Sequence, residues 1–232
     1  MRRPLHSFGR RLAALAFAAA LAGCAATPDK PAWPDSFVSR LAAQALIQQL
    51  NAELLASRTA TATLEAWCGS HRLADPPRVF VHRVRSGDVA PTPEQRERLR
   101  VEPETEIKYR RVQLRCGDRV LSEAENWYVP DRLEPEMNGL LETTDIPFGK
   151  VVKPLDPSRR TFASKVLWSP LSAGWELEPQ MTDRDSEQPL TMPAALFEHR
   201  ALLFDRAYRP LAELHEVYRR DLLDFPLMPS ED

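Results

Sequence analysis

Glycine is scarce in this chain, and the spacing of the few glycines excludes more than their number does. The eight (Gly9, Gly23, Gly69, Gly87, Gly117, Gly139, Gly149 and Gly174) never fall within nine residues of one another. A Walker loop, a dinucleotide G-x-G-x-x-G fingerprint and a G-x-S-x-G elbow each need closer pairs, so all three are absent. Long apolar runs are lacking too. The run from Leu12 to Gly23 spans about 18 Å as a helix, against a hydrocarbon core of about 30 Å. Cysteine is limited to Cys24, Cys68 and Cys116, and the formal net charge is only −2. Proline, by contrast, is plentiful: 21 of 232 residues, near twice the usual share of about 5%. With 43% hydrophobic residues the chain holds enough apolar material for one domain with a proper core.

The first segment reads as an address. Arg2, Arg3, Arg10 and Arg11 form a basic region ahead of the short apolar run, the pattern of a secretory signal peptide. Leu21-Ala22-Gly23-Cys24 resembles the lipobox of bacterial lipoproteins, in which the cysteine takes the lipid. Lipidation of Cys24, with Ala25 rather than Asp after it, places the expected protein on the outer membrane, facing the periplasm. Residues 1–23 are then the removed signal, 24–36 a Pro-rich tether, and 37–226 a single domain. Loss of the signal takes the 31 basic residues to 27 against 33 acids, a net of −6. That balance argues against nucleic acid, whose binding needs basic neutralisation of phosphates. In an oxidising periplasm Cys68 and Cys116 either pair or remain buried free thiols.

Along the mature chain, Asp35 or Ser36 caps a helix running to about Ala56, and Thr61 opens a shorter one to about Cys68. Arg78–Val84 reads as a strand. Thr92-Pro93-Glu94-Gln95 and Asp131-Arg132-Leu133-Glu134 read as capping boxes, the second opening a helix toward Leu141. Residues 106–116 and 119–129 form a hairpin about Gly117-Asp118, and 195–204 and 211–219 a second. Residues 163–194 show little period and read as a partly ordered flap. Strands in hairpins and helices in separate runs give an α+β class: an antiparallel sheet with helices packed on one side.

Several short motifs, in this order, resemble the chorismate pyruvate-lyase family. They are Thr59-x-Thr61-x-x-Leu64-Glu65-x-x-Cys68, Arg78-Val-x-Val81, Arg111-Val-Gln-Leu-Arg-Cys116-Gly117-Asp118, Ala124-x-x-x-x-Val129-Pro130, Ile146-Pro147-Phe148-Gly149-Lys150, and Arg209-Pro210-Leu211 with Glu216. The match covers about residues 59–220. The resemblance implies the chorismate lyase-like fold, shared by the ligand-sensing domain of GntR-type regulators. It implies elimination of pyruvate from chorismate to give 4-hydroxybenzoate, with no metal or cofactor.

Carried over, Arg111 is the carboxylate-binding arginine, and Phe148, beside Gly149, supplies a backbone N–H. Glu216 is the acid, one residue too far from Pro210, with His215 as the alternative. A second family arginine is Asn126 here, which removes one charge-assisted clamp worth roughly 1.5–3 kcal/mol. The expected partner is a small aromatic carboxylate or dicarboxylate, held without turnover. An active lyase and a ligand-free structural lipoprotein are the alternatives. Glu198-His199 and His215-Glu216, facing across the last hairpin, match no strong metal motif. Trp127 and Tyr128, being adjacent, point to opposite faces of their strand.

Overall fold

A computed structural model describes residues 33–84, 87–177 and 186–227. Cys24 and the signal segment lie outside these residues. The chain enters through a two-residue strand, β1 (Pro34–Asp35), and α1 (Phe37–Ala56), where Ser36 Oγ accepts the Ser39 N–H. Next come α2 (Ala60–Ser70), β2 (Val79–Arg83) and α3 (Pro93–Leu99), then the hairpin β3 (Lys108–Cys116) and β4 (Arg119–Tyr128). The helices α4 (Pro135–Thr143) and α5 (Phe148–Val151) lead to β5 (Ser158–Val166). A short strand β6 (Ser186–Pro189) precedes the second hairpin, β7 (Ala195–Phe204) and β8 (Pro210–Arg219).

The main sheet is six-stranded and antiparallel, in the order β2-β3-β4-β8-β7-β5. Alternation along each strand gives it two unlike faces. The inner face collects Val112, Leu114, Ala124, Leu214, Phe197 and Leu203, and it divides into two hydrophobic clusters. One is covered by α1 and α2 through Ile47, Leu50, Leu54, Leu64 and Trp67, the other by α4 and α5 through Met137, Leu141, Phe148 and Val151. Among the described residues only the short helix α3 lies on the outer face, where Gln95 and Arg98 bond Glu213. No helix among the described residues is long and apolar enough to cross a membrane.

Local chemistry explains the boundaries. The Thr92–Gln95 capping box closes in both directions with Pro93 at the helix start. The box at Asp131–Glu134 does not form: residues 130–132 make a 3₁₀ turn, and α4 begins at Pro135 with Glu134 extended. Proline has no N–H to give a helix begun at Arg132, and it forces the residue before it out of helical geometry. The tether ends sooner than its composition suggests. Trp33 is buried, donates its indole N–H to the Phe225 carbonyl and packs edge-on against the Phe225 ring. The first four residues of the expected flap, 163–166, are the end of β5 and pair with β7.

Candidate functional site

Four of the residues expected at the site come together. Asn126, Phe148, Gly149 and Glu216 line one inner cavity of about 40 Å³, at the seam between the two hydrophobic clusters. The register of β4 with β8 places Ala124 opposite Glu216 and Asn126 opposite Leu214, so these side chains share the inner face. The extra residue between Pro210 and Glu216 is absorbed at the start of β8. There Leu203 pairs with Ala212 and Phe204 with Pro210, so Leu211 is a bulge that restores the direction of Glu216. Gly149 sits at a close approach: a methyl there would lie 3.1 Å from Thr59 Cβ, so Thr59 would have to give by a few tenths of an ångström.

The sequence reading missed the residue that dominates this cavity. Arg159, on β5, reaches under the sheet so that its Nη2 lies 2.5 Å from Glu216 Oε2, with the two side chains 1% and 5% exposed. The same carboxylate oxygen accepts the Tyr218 hydroxyl at 3.2 Å. Burial and the neighbouring Glu216 charge push Tyr218 well above its ordinary pKa and keep it a donor. A volume of 40 Å³ suits a water or so, against the roughly 300–1,000 Å³ of ordinary ligand pockets.

His199 extends this buried network. Its Nε2 lies 2.7 Å from Asn51 Oδ1, which only accepts, so Nε2 carries the hydrogen and Nδ1 faces Arg159 Nη2 at 3.5 Å. Burial, then the Arg159 charge, lower the imidazole from 6.5 to about 4, with Glu216 opposing. The folded state therefore holds a neutral ring that the unfolded chain protonates first. The stability this contributes is complete above pH 6.5 and is lost as the pH falls through about 4. Urea unfolding of wild type and His199→Gln across pH 4–7.5 is expected to show a steeper acid decline in the wild type; parallel profiles would refute it.

Two expected site residues lie elsewhere. Arg111 points to the outer face, half-exposed, with Nη2 3.5 Å from Glu123 Oε2. Side chains alternate along β3, and the inner face is marked by Val112, Leu114 and Cys116, so the inward arginine is Arg110. His215 is also on the outer face, with its ring nitrogens 3.2 Å from Glu125 Oε2 and Glu198 Oε2. The pairs Glu198-His199 and His215-Glu216 are thus split across the sheet. Among the described residues no group of three His, Cys, Asp or Glu side chains converges as for a metal. Trp127 is buried on the outer side, donating to the Val89 carbonyl, and Tyr128 packs inward against Phe148. Cys68 and Cys116 are joined by a disulfide, Cα to Cα 6.4 Å, tying the end of α2 to the end of β3.

A second hollow lies at the frayed end of the sheet. β2 stops at Arg83, opposite Val112, while β3 runs on to Lys108. The gap is an open groove of about 920 Å³, bordered by His82, Arg83, Tyr109, Arg110, Arg111 and Asp145 among others. A smaller hollow of about 430 Å³ shares Arg83, Tyr109 and Arg110 with it. Neither has a lining residue in common with the inner cavity.

These features define an α+β domain with a small, ion-paired inner cavity and an open groove bordered by arginines and aspartates. The chain belongs to the family of the "Uncharacterized protein y4mC" of Sinorhizobium fredii (strain NBRC 101917 / NGR234). The two are 44% identical over 195 residues, covering 84% of this chain and 82% of that one. No protein-family model matches the chain. Among solved structures it is similar to the effector domain of PhnF from Mycobacterium smegmatis, at 12% identity and a TM-score of 0.43, over 70% of this chain and 89% of that one. It is also similar to a GntR-family transcriptional regulator from Enterococcus faecalis V583, at 10% identity and a TM-score of 0.37, over 65% and 99%.

Proposed function

We propose that this is an envelope protein, anchored through a lipid on Cys24, whose domain binds a small carboxylate-bearing ligand without turning it over. The observation that carries this reading is the contrast between the two hollows. The inner cavity, where the resemblance to chorismate pyruvate-lyases puts the chemistry, is occupied by Arg159 paired to Glu216 and has about 40 Å³ left. The groove is of ligand size and bordered by three arginines and a histidine against two aspartates. A lyase must bring a proton donor within hydrogen-bond reach of the departing enolpyruvyl oxygen. Glu216 Oε2 is instead engaged by Arg159 and Tyr218, and Asn126 offers no charge to a second carboxylate. Export and anchoring are supported by the lipobox-like Leu21–Cys24 and by a disulfide of a kind that persists in oxidising compartments, and the outer membrane by Ala25 in place of Asp after the cysteine.

One experiment tests both halves. Cells producing wild type and Cys24→Ser are fractionated, and each purified protein is mixed with chorismate. The wild type is expected in the membrane fraction, the variant released and unlipidated, and neither is expected to yield 4-hydroxybenzoate and pyruvate. Membrane retention of Cys24→Ser with unchanged mass would refute the anchor. Turnover of about 0.1 per second or faster would establish a lyase instead.

A further inference from the structure

Beside the groove at the end of β2, under the inner face, lies a buried guanidinium with too few partners. Arg110 is only 4% exposed, yet its Nε and Nη1 have no hydrogen-bond partner. Its Nη2 makes only two long contacts, 3.4 Å to the Thr144 carbonyl and 3.5 Å to the Ile146 carbonyl. Buried charges are ordinarily paired and fully hydrogen-bonded, because desolvation otherwise costs several kcal/mol. Among the described residues no carboxylate forms an ion pair with Arg110. Its neighbour Arg83 adds repulsion: burial and then the Arg83 charge lower the Arg110 guanidinium to about 10, with Tyr128 and Asp145 only partly compensating. The other buried arginine of the inner face, Arg159, has its carboxylate supplied by Glu216. Arg110 has the same burial and lacks the anion.

We propose that Arg110, with Arg83 at the rim, is an oxyanion site that takes the carboxylate of a small organic acid lying in the groove. The inference rests on the ligand-binding reading above and moves the ligand out of the inner cavity. A carboxylate brought through the gap beside β3 would supply acceptors to Arg110 and neutralise the Arg83–Arg110 repulsion together. Charge-assisted bonds of this kind are the strong ones, and the guanidinium fork suits a planar carboxylate. Tyr109 and His82 border the groove from the outer side of the sheet, where the Tyr109 hydroxyl is held by Glu125, so the carboxylate itself meets only the two inner arginines. Asp88 and Asp145, also on the border, disfavour a second negative charge placed near them. The class is therefore a small monocarboxylate.

The test is calorimetric titration of the full chain with 4-hydroxybenzoate, benzoate, succinate and inorganic phosphate. Wild type is compared with Arg110→Met, Arg83→Gln and Ala124→Val, the last filling the inner cavity. Expected are binding of the aromatic monocarboxylates and at least a tenfold loss in Arg110→Met. A smaller loss is expected in Arg83→Gln and none in Ala124→Val. Unliganded Arg110→Met is expected to melt no lower than wild type, because it removes an unpaired buried charge; a lower melting temperature would make Arg110 a structural group and overturn the site. Unchanged affinity in Arg110→Met with loss in Ala124→Val overturns the inference and leaves the ligand-binding reading standing. Phosphate or succinate binding as tightly as the aromatic acids overturns the assigned class. No binding by any of the four overturns both readings.

Discussion

Arg159→Met is expected to destabilise the fold by about 3–5 kcal/mol, the usual cost of removing one partner of a buried ion pair. Glu216 would be left almost fully buried, with Tyr218 as its remaining donor. His199 would lose the Arg159 contact on its Nδ1. The partner change separates the pair from its surroundings. Replacing both ends, as Arg159→Met with Glu216→Leu, removes the unpaired charge and is expected to recover most of the loss, since hydrophobic substitutes for buried pairs are often neutral or better. Urea unfolding at pH 7.5 of wild type, both single variants and the double variant gives the coupling energy directly. A cost below about 1 kcal/mol for Arg159→Met would mean that water reaches Glu216 freely, and the buried character of the pair would fall with it.

The difference between the legible and the illegible parts of this chain has a physical cause. β2, β3, β4, β7 and β8 were readable because their faces alternate between core and solvent and turn signals bound them. The helices α1, α2 and α3 were readable from their apolar spacing and caps. β5 is an edge strand with one buried side chain of any size, Arg159, so it lacks the alternating apolar pattern that marks a strand. The residue that closes the inner cavity was hidden for that reason, and no local pattern would have exposed it. Arg111 is a different case. The alternation Arg110, Val112, Leu114, Cys116 was visible in the sequence, and following it from the apolar members backward puts Arg110 inside. Matching on the motif around Cys116-Gly117-Asp118 chose the neighbour one residue away, and one residue along a strand is the opposite face. At Glu216 the same arithmetic misled in the other direction, because a bulge at Leu211 consumes the surplus residue. Bulges set direction, and short motifs do not report them.

Loss of the Cys68–Cys116 bond is expected to cost about 4 kcal/mol, the chain-entropy value for a loop closed across a separation of 48 residues. Both cysteines are fully buried within the cluster that joins α1 and α2 to the sheet. The bond spans a segment that contains β2, α3 and β3, so it restricts a long loop of the unfolded chain. Protein purified from the periplasm or membrane fraction should therefore unfold at higher urea than the same chain, without residues 1–23, kept reduced in the cytosol. Reductant should erase the difference, and Cys68→Ala/Cys116→Ala should match the reduced protein to within the small cost of two emptied thiol sites. The comparison also bears on the address. If the domain folds to the same stability with both thiols reduced, the bond is not needed and oxidising export loses one of its supports. If only the oxidised form resists urea, the protein reaches full stability only where disulfides persist, which agrees with the compartment we propose from the lipobox-like Leu21-Ala22-Gly23-Cys24.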